Sequence, residues 1–569
     1  MRTPQPRKVR DRRARRILAV ISALMMLVAS CGGDAEPLDP IEAADRLQEL
    51  VGEIGWQNSP VTRKANVPPP TLELEDTLPP IDEFPLVVTA ARGSDRVVAE
   101  IFASTEKSGD GTDRWMVEVA ESFNDASLAL ADGRVARVEI RKIASGTGYQ
   151  FISAGRNLPA GFSPSNHLWI EMAKVHRPMT AVSDRLVPNV AGIVMKSETA
   201  EELRSTYGDL TASNLIDAVI AGDVVMGYTD PFASSTGLNF LLTVLDEFAG
   251  GQEDRLVAPD VASVFEQFQQ QVPFVALTTL QIRESVEKEA GTLDAFVMEY
   301  QTFVNTDSLK SGFEFIPFGV GHDNPLYAVG DLPPEQLEVL ELFADFAGES
   351  EFMKEAADFG FDPPAYDSTV AIPSGATLIQ AQKLWKDKKD GGKPVAAVFV
   401  TDVSGSMAGS RLSAVRRALR SAREFISPES SVGMVEFSDV TTLRLPIAPF
   451  DLNQQGRFVA AVEDMNPAGG TAMYDGITLG LSMLLDHKAS NPDSKLLLIV
   501  LTDGATNEGL TLGETEEMIG GLRIPIYTVG FEADLDELGK LASLVEAASI
   551  NASEDDVEFK IASLFNAGI

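Results

Sequence analysis

From Val395 to the end of the chain, wholly apolar runs alternate with longer stretches in which apolar residues return every three or four positions. The runs "VAAVFVTDV", "SVGMVEFS", "TLRLPIAPF", "KLLLIVLTDG" and "IPIYTVGF" have strand length, whereas "SRLSAVRRALRSAREFI", "AMYDGITLGLSMLLDH", "GETEEMIGGL" and "LDELGKLASLVEAA" have helical spacing. A strand that is apolar on both faces belongs inside a parallel sheet, where helices cover both sides. The alternation therefore predicts one doubly wound α/β sheet over 395–569.

A looser version of the same pattern fills 86–366. Strand-like "RVVAEIFAST", "RVARVEIRKIASG", "VAGIVMKS" and "DVVMGYTD" alternate with helix-like "DRWMVEVAESFNDAS", "SNHLWIEMAKVH", "GLNFLLTVLDEFAG" and "PEQLEVLELFADFAG". Such alternation argues for parallel sheets with right-handed crossovers. About 280 residues is long for one core, so two lobes are expected. Between the two regions, 367–394 carries helical spacing around "TLIQAQKLWKD" and then the polar "KKDGGKP", which reads as a connector. Ahead of both, Ile41 to Trp56 spaces its apolar residues as a short amphipathic helix. The proline-rich stretch from Ser59 to Pro85 reads as an extended spacer.

Charge changes the picture in two ways. Among 569 residues, 84 are acidic and 47 basic, a formal charge of -37 that excludes nucleic acid as a partner by repulsion. The basic residues crowd the start: Arg2, Arg7, Lys8, Arg10, Arg12, Arg13, Arg15 and Arg16 precede the apolar run Ile17 to Ala29. That run is too short to span a bilayer and suits a secretory leader over 1–30. The single cysteine, Cys31, stands in "LVASCGG", which resembles a bacterial lipobox. The resemblance implies a lipid-modified cysteine at the new N-terminus, with diacylglycerol and an acyl chain such as palmitate anchoring it in the bilayer. The expected location is the extracytoplasmic face of the cell membrane, with 31–85 serving as anchor, short helix and spacer.

Three short segments of the last region carry oxygen ligands. "DVSGSM" supplies Asp402, Ser404 and Ser406, "GGT" supplies Thr471 and "LTDG" supplies Asp503. Open parallel sheets bind ligands beyond the carboxyl ends of their strands, where Asp402 and Asp503 fall. Two carboxylates with three hydroxyls suit a hard divalent cation, magnesium best, with manganese or calcium as alternatives. Neutral donors leave the ion electrophilic enough to take a further carboxylate from outside. Helix capping would account for the hydroxyls but not for two aspartates at strand ends. The four histidines (His167, His176, His322, His487) show no metal-pair spacing and no base stands near the carboxylates, so catalysis is not expected.

With those five residues in order, the last 175 residues or so resemble the von Willebrand factor A family and its metal-ion-dependent adhesion site. The resemblance implies that the serines and the threonine bind the metal directly, the aspartates directly or through water. It also implies an acidic side chain of a partner protein as the visitor.

The 86–366 region resembles the two-lobed bacterial extracellular solute-binding proteins, through "SGTGYQ", "YTDPFASSTGLNF", "NPLYAV" and "FGFDPP". Such a protein holds a small molecule or anion between its lobes, at hydroxyls and helix N-termini. The candidate contacts are Ser104, Thr105, Ser145, Thr147, Ser235 and Thr236, all of which equally suit helix caps. The chain as a whole reads as a membrane-anchored binding protein whose lobed region senses or presents a ligand. The alternative is the substrate-binding component of an ABC-type transporter with an accessory interaction module.

Overall fold

The computed structural model describes residues 37–272, 274–276, 282, 293–531, 535–544 and 549–568. The expected leader 1–30 and Cys31 lie outside the described residues.

The C-terminal apolar runs form a seven-stranded sheet. Its spatial order is Trp56–Asn58, Thr441–Pro449, Ser431–Phe437, Val395–Asp402, Lys495–Thr502, Ile526–Phe531 and Ser549–Ala552. Every neighbouring pair is parallel except Ser431–Phe437 with Thr441–Pro449. Val395–Asp402 lies at the centre with all of its residues buried, so it takes the near-continuous apolar sequence of a strand covered on both faces. Helices Ser410–Ala422, Leu452–Asp464 and Val557–Gly568 pack together as one group. Met473–Ser490, Leu512–Leu522 and Pro40–Glu53 form a second.

Two of these elements come from the opposite end of the chain. Pro40–Glu53 starts on an Asp39 side chain that accepts the N–H groups of Ile41 and Glu42, and proline at its first turn costs no hydrogen bond. Its stripe of Ala43, Leu47 and Leu50 is buried in this domain. Trp56–Asn58 then adds to the sheet edge, and the proline-rich stretch runs on across the surface. There the Val61 N–H donates to the Arg444 carbonyl at 2.9 Å, and the Arg63 guanidinium meets Glu463 at 2.9 Å and Asp464 at 2.7 Å. The stretch is extended only up to Leu72, as its prolines favour, and then turns through 3-10 helices at Leu74–Thr77 and Ile81–Glu83. It lies against the domain because an extended backbone has no internal hydrogen bonds and an edge strand offers them.

Residues 86–366 form two α/β lobes, as expected. The first holds a six-stranded sheet in the order Leu86–Val88, Val135–Lys142, Arg96–Ala103, Gly161–Ser163, Leu326–Val329 and Met179–Ser183. The second has five strands in the order Phe313–Gly321, Val190–Lys196, Ala295–Glu299, Met226–Thr229 and Phe274–Ala276. The expectation of parallel sheets holds only in part. Val190–Lys196 and Leu326–Val329, the first strands after each crossing between lobes, pair antiparallel with their neighbours. A strand that arrives from the other lobe has no crossover helix to reverse it.

One apolar cluster runs through both lobes, joining Phe151 and Trp169 of the first to Ile193, Tyr228 and Leu241 of the second. The segment read as a connector belongs to it. Gly375–Lys388 is a helix capped by Ser374, and its fully buried Trp385 donates its indole N–H to the Tyr228 hydroxyl at 2.6 Å. Among the described residues no helix is long and apolar enough to cross a membrane.

Leu50 tests whether the N-terminal helix is part of the C-terminal domain's core. Leu50→Ala should lower unfolding stability by about 2 to 5 kcal/mol in urea titration, whereas Ile41→Ala, at a position 75% exposed, should change it by less than about 0.5 kcal/mol. Equal effects would contradict that packing.

Candidate metal centre

Parallel pairing sets Thr401 of the central strand beside Leu501 of its neighbour. Asp402 follows Thr401 directly and Asp503 stands two positions after Leu501, so both come to the same rim. After Asp402 the chain turns through a short 3-10 helix, Gly405–Met407, which folds Ser404 and Ser406 back over the strand end. The Ser404 N–H donates to Asp402 Oδ1 at 2.7 Å. Ser404 Oγ lies 2.9 Å from Ser406 Oγ, which donates to Asp503 Oδ1 at 2.8 Å. Four of the five expected ligands are thus linked by hydrogen bonds.

The fifth arrives on the loop before Met473–Ser490. The Ala468 N–H donates to the Val403 carbonyl at 2.9 Å, and the Gly405 N–H to the Gly469 carbonyl at 3.1 Å, so this loop lies against the serine turn. Gly469 has a φ of +76°, and a β-carbon there would stand 2.2 Å from Asp439 Oδ1, so the close approach requires glycine. Thr471 is buried and held by its backbone. Its N–H donates to Asn507 Oδ1 at 2.9 Å, and its carbonyl accepts from the Asn507 N–H at 3.0 Å and the Thr506 hydroxyl at 2.9 Å.

Three further residues shape this rim without having been expected. Thr502 donates its hydroxyl to Asp402 Oδ2 at 2.6 Å. Arg411 lies 2.9 Å from Asp503 Oδ2, and Asn507 clamps Thr471. Thr502 was legible in "LTDG", since a hydroxyl directly before a ligand aspartate at a strand end is placed to orient a carboxylate. Asn507 and Arg411 carry no such local signal.

The electrostatics favour a cation. Burial pushes the Asp402 carboxyl above its ordinary range, hydrogen bonds from Thr502 and Ser404 work against this, and the nearby Asp503 charge adds to it. A carboxylate held this way gains from any positive charge that enters. Asp402 and Ser404 are buried, whereas Gly405 and Ser406 are exposed, so the cluster opens on the serine side. Among the described residues no group of three or more His, Cys, Asp or Glu side chains is arranged for a metal. A donor set of two carboxylates and three hydroxyls, all hard oxygens, still fits magnesium.

The comparisons with known proteins bear on this part of the chain first. Residues 397–565 match the model of the von Willebrand factor type A domain. This stretch is a von Willebrand factor type A domain. It is similar to inter-alpha-trypsin inhibitor heavy chain H3 of Bos taurus, 32% identical over 155 residues, covering 25% of this chain and 17% of that protein. The match to the human protein of the same name is 34% identical, again over 17% of its length. The type A domain is therefore the shared part, and this chain spans less than a fifth of the relatives it matches. Among solved structures, a von Willebrand factor type A protein from Catenulispora acidiphila is 18% identical. It covers 31% of this chain and 43% of its own, with a TM-score of 0.28. A periplasmic thiamin binding protein is 11% identical, covering 53% of this chain and 99% of its own, with a TM-score of 0.36.

In the lobed region four of the six expected contacts, Ser104, Ser145, Ser235 and Thr236, bond to the protein itself. Ser104 donates to the Glu106 carboxylate and accepts from the Lys107 ammonium. Ser145 Oγ lies 3.4 Å from Ser165 Oγ, Ser235 Oγ accepts the Trp169 indole N–H at 2.9 Å, and the Thr236 hydroxyl donates to Glu299 at 3.4 Å. Thr105 opens the short helix Thr105–Ser108, half-buried, and Thr147 lies buried in the first turn of Ser145–Ala154. The strand read through "IASG" stops at Lys142, because Ser145 begins that helix. Glu106, Lys107, Glu299 and His322, four charged or titratable groups of this cleft, were not expected from the sequence.

Gly469→Ala should lower the melting temperature by several degrees, since a positive φ and a clash with Asp439 cost about 1 to 3 kcal/mol. Gly504→Ala, whose β-carbon would meet nothing within 4 Å, should leave it nearly unchanged. A reversed order would refute the placement of the Thr471 loop.

Proposed function

We propose that this protein is a membrane-anchored, extracytoplasmic binding protein. Its von Willebrand factor type A domain would hold a divalent cation, magnesium by preference, and through it an acidic side chain of a partner protein. The observation that carries this reading is the run of oxygens Asp402, Ser404, Ser406 and Asp503, linked at a sheet rim that opens to solvent on one side. A cation shared among them and Thr471 would offset two carboxylates that now face each other across hydroxyls. Three neutral donors would leave it positive, so a carboxylate from outside could complete its coordination. Thr502 and Asn507 would orient the ligands, and Arg411 would share the charge of Asp503. The role proposed here is binding rather than catalysis.

Magnesium at a hundred-fold excess over its Kd stabilises a binding-competent fold by about 2.7 kcal/mol. The wild-type melting temperature should therefore rise by several degrees on adding magnesium, and Asp402→Ala should abolish the rise. The same rise in the variant would sink the metal assignment. The anchor has a separate test, because Cys31→Ser should move the protein from the membrane fraction to the soluble one. Continued membrane association would refute lipidation at that residue.

A further inference from the structure

The cleft between the lobes contains a fully buried lysine. Lys107 follows the strand Arg96–Ala103 in the first lobe, and its ammonium, with no solvent exposure, is held by residues of that lobe and of the returning passage. It donates to the Ser104 hydroxyl, to the Ser163 carbonyl at 2.9 Å and to Asn324 Oδ1 at 2.9 Å, with the Pro164 carbonyl at 3.4 Å. The Glu106 carboxylate stands 3.7 Å away and supplies the opposite charge. A ring of neutral oxygens with one carboxylate is the environment that recognises a primary ammonium. Burial lowers the pKa of Lys107 to about 8, with Glu106 and then Glu299 opposing the shift, so the group keeps its charge at neutral pH.

Asn324 links this ammonium to both passages between the lobes. It lies in the returning passage, 322–325, and its side-chain amide donates to the Val187 carbonyl of the outgoing one at 3.1 Å. Two residues earlier, His322 bonds Glu299 of the second lobe at 2.9 Å and Asn166 of the first at 3.1 Å. The cleft is also closed at its edges. The Gly146 N–H, in the first turn of a helix where an anionic solute would dock, donates to the Ala233 carbonyl of the other lobe. A β-carbon on Gly146 would stand 2.1 Å from the Phe232 carbonyl oxygen, so the lobes meet backbone to backbone. On the far side Gln301 donates to the Thr112 carbonyl at 2.9 Å. Helix Gly375–Lys388 packs on helices of both lobes.

We propose that the Lys107 ammonium, caged by the first lobe and by Asn324, fixes the two passages between the lobes and so holds the lobes shut. The lobed region is then a rigid mount. A solute-binding protein closes when its ligand arrives, because the ligand contributes the contacts that stabilise the closed form. Here His322, Gly146 and Gln301 make the contacts between the lobes, and Lys107 fixes the passage that carries His322.

Truncating Lys107 to alanine removes the atoms of n-propylammonium, which supplies a matched probe for the full-length protein. Lys107→Ala should melt about 5 °C or more below wild type. It should regain most of that loss in n-propylammonium chloride, but not in sodium or tetramethylammonium chloride at equal ionic strength. Wild type should respond to the three salts alike. The proposal fails if the variant melts like wild type, if all three salts restore it equally, or if wild type is stabilised selectively by n-propylammonium. Should the alanine variant not fold, Lys107→Met keeps most of the side chain's length, one atom short, without the charge. Its radius of gyration by small-angle scattering should exceed that of wild type, and an unchanged radius with an unchanged melting temperature overturns the lock.

Discussion

Asp402 is a carboxylate held almost out of water at the end of a strand that is buried along its whole length. A charge in that position must be met by donors or by a cation. Its surroundings are arranged accordingly, with the Ser404 N–H on one oxygen and the Thr502 hydroxyl on the other. The serine turn follows from the same constraint, since Ser404 must fold back to reach Asp402 and so carries Ser406 to Asp503. The threonine loop docks on that turn through Gly405 and Gly469. A centre built this way has little freedom to move, which would pre-organise it for the proposed cation.

The rest of the molecule supports this rim through contacts between distant parts of the chain. The N-terminal helix Pro40–Glu53 and the strand Trp56–Asn58 complete the sheet's cover and edge before the chain enters the lobes. The lobes are therefore inserted into the type A domain's folding unit and do not merely precede it. The helix Gly375–Lys388 closes the insertion, burying Trp385 among residues of the second lobe directly ahead of the central strand. An exposed edge strand invites association with other chains, and Trp56–Asn58 covers this one from within.

The two regions differ in how their polar groups are satisfied. At the rim, Ser406 is exposed and two carboxylates share hydroxyl donors, so the proposed cation would improve on what the protein supplies. In the cleft, Lys107, Glu106, Asn324, His322 and Glu299 answer one another. A site whose groups are already paired gains little from a solute, whereas one with surplus negative charge gains much from a metal. The proposed division of labour between a binding head and a rigid mount rests on that difference.

Local pattern was enough to place the doubly wound sheet, since Val395–Asp402 and its neighbours are apolar runs with no competing reading. It was also enough to name Asp402, Ser404, Ser406, Thr471 and Asp503, because turn residues and strand ends are properties of adjacent positions. Helix Leu452–Asp464 went unread because "LNQQG" interrupts its apolar spacing, although Asp451 caps it. Antiparallel pairing at the lobe crossings, the docking of the proline-rich stretch on Arg444 and the burial of Trp385 were decided by tertiary structure. So were Asn507 behind Thr471 and the ring around Lys107, whose members Ser163 and Asn324 lie 56 and 217 positions away. Periodicity and turn chemistry act between neighbours and can be read along a line. The partner of a buried charge is chosen by the fold, and nothing near Lys107 in the chain names Asn324.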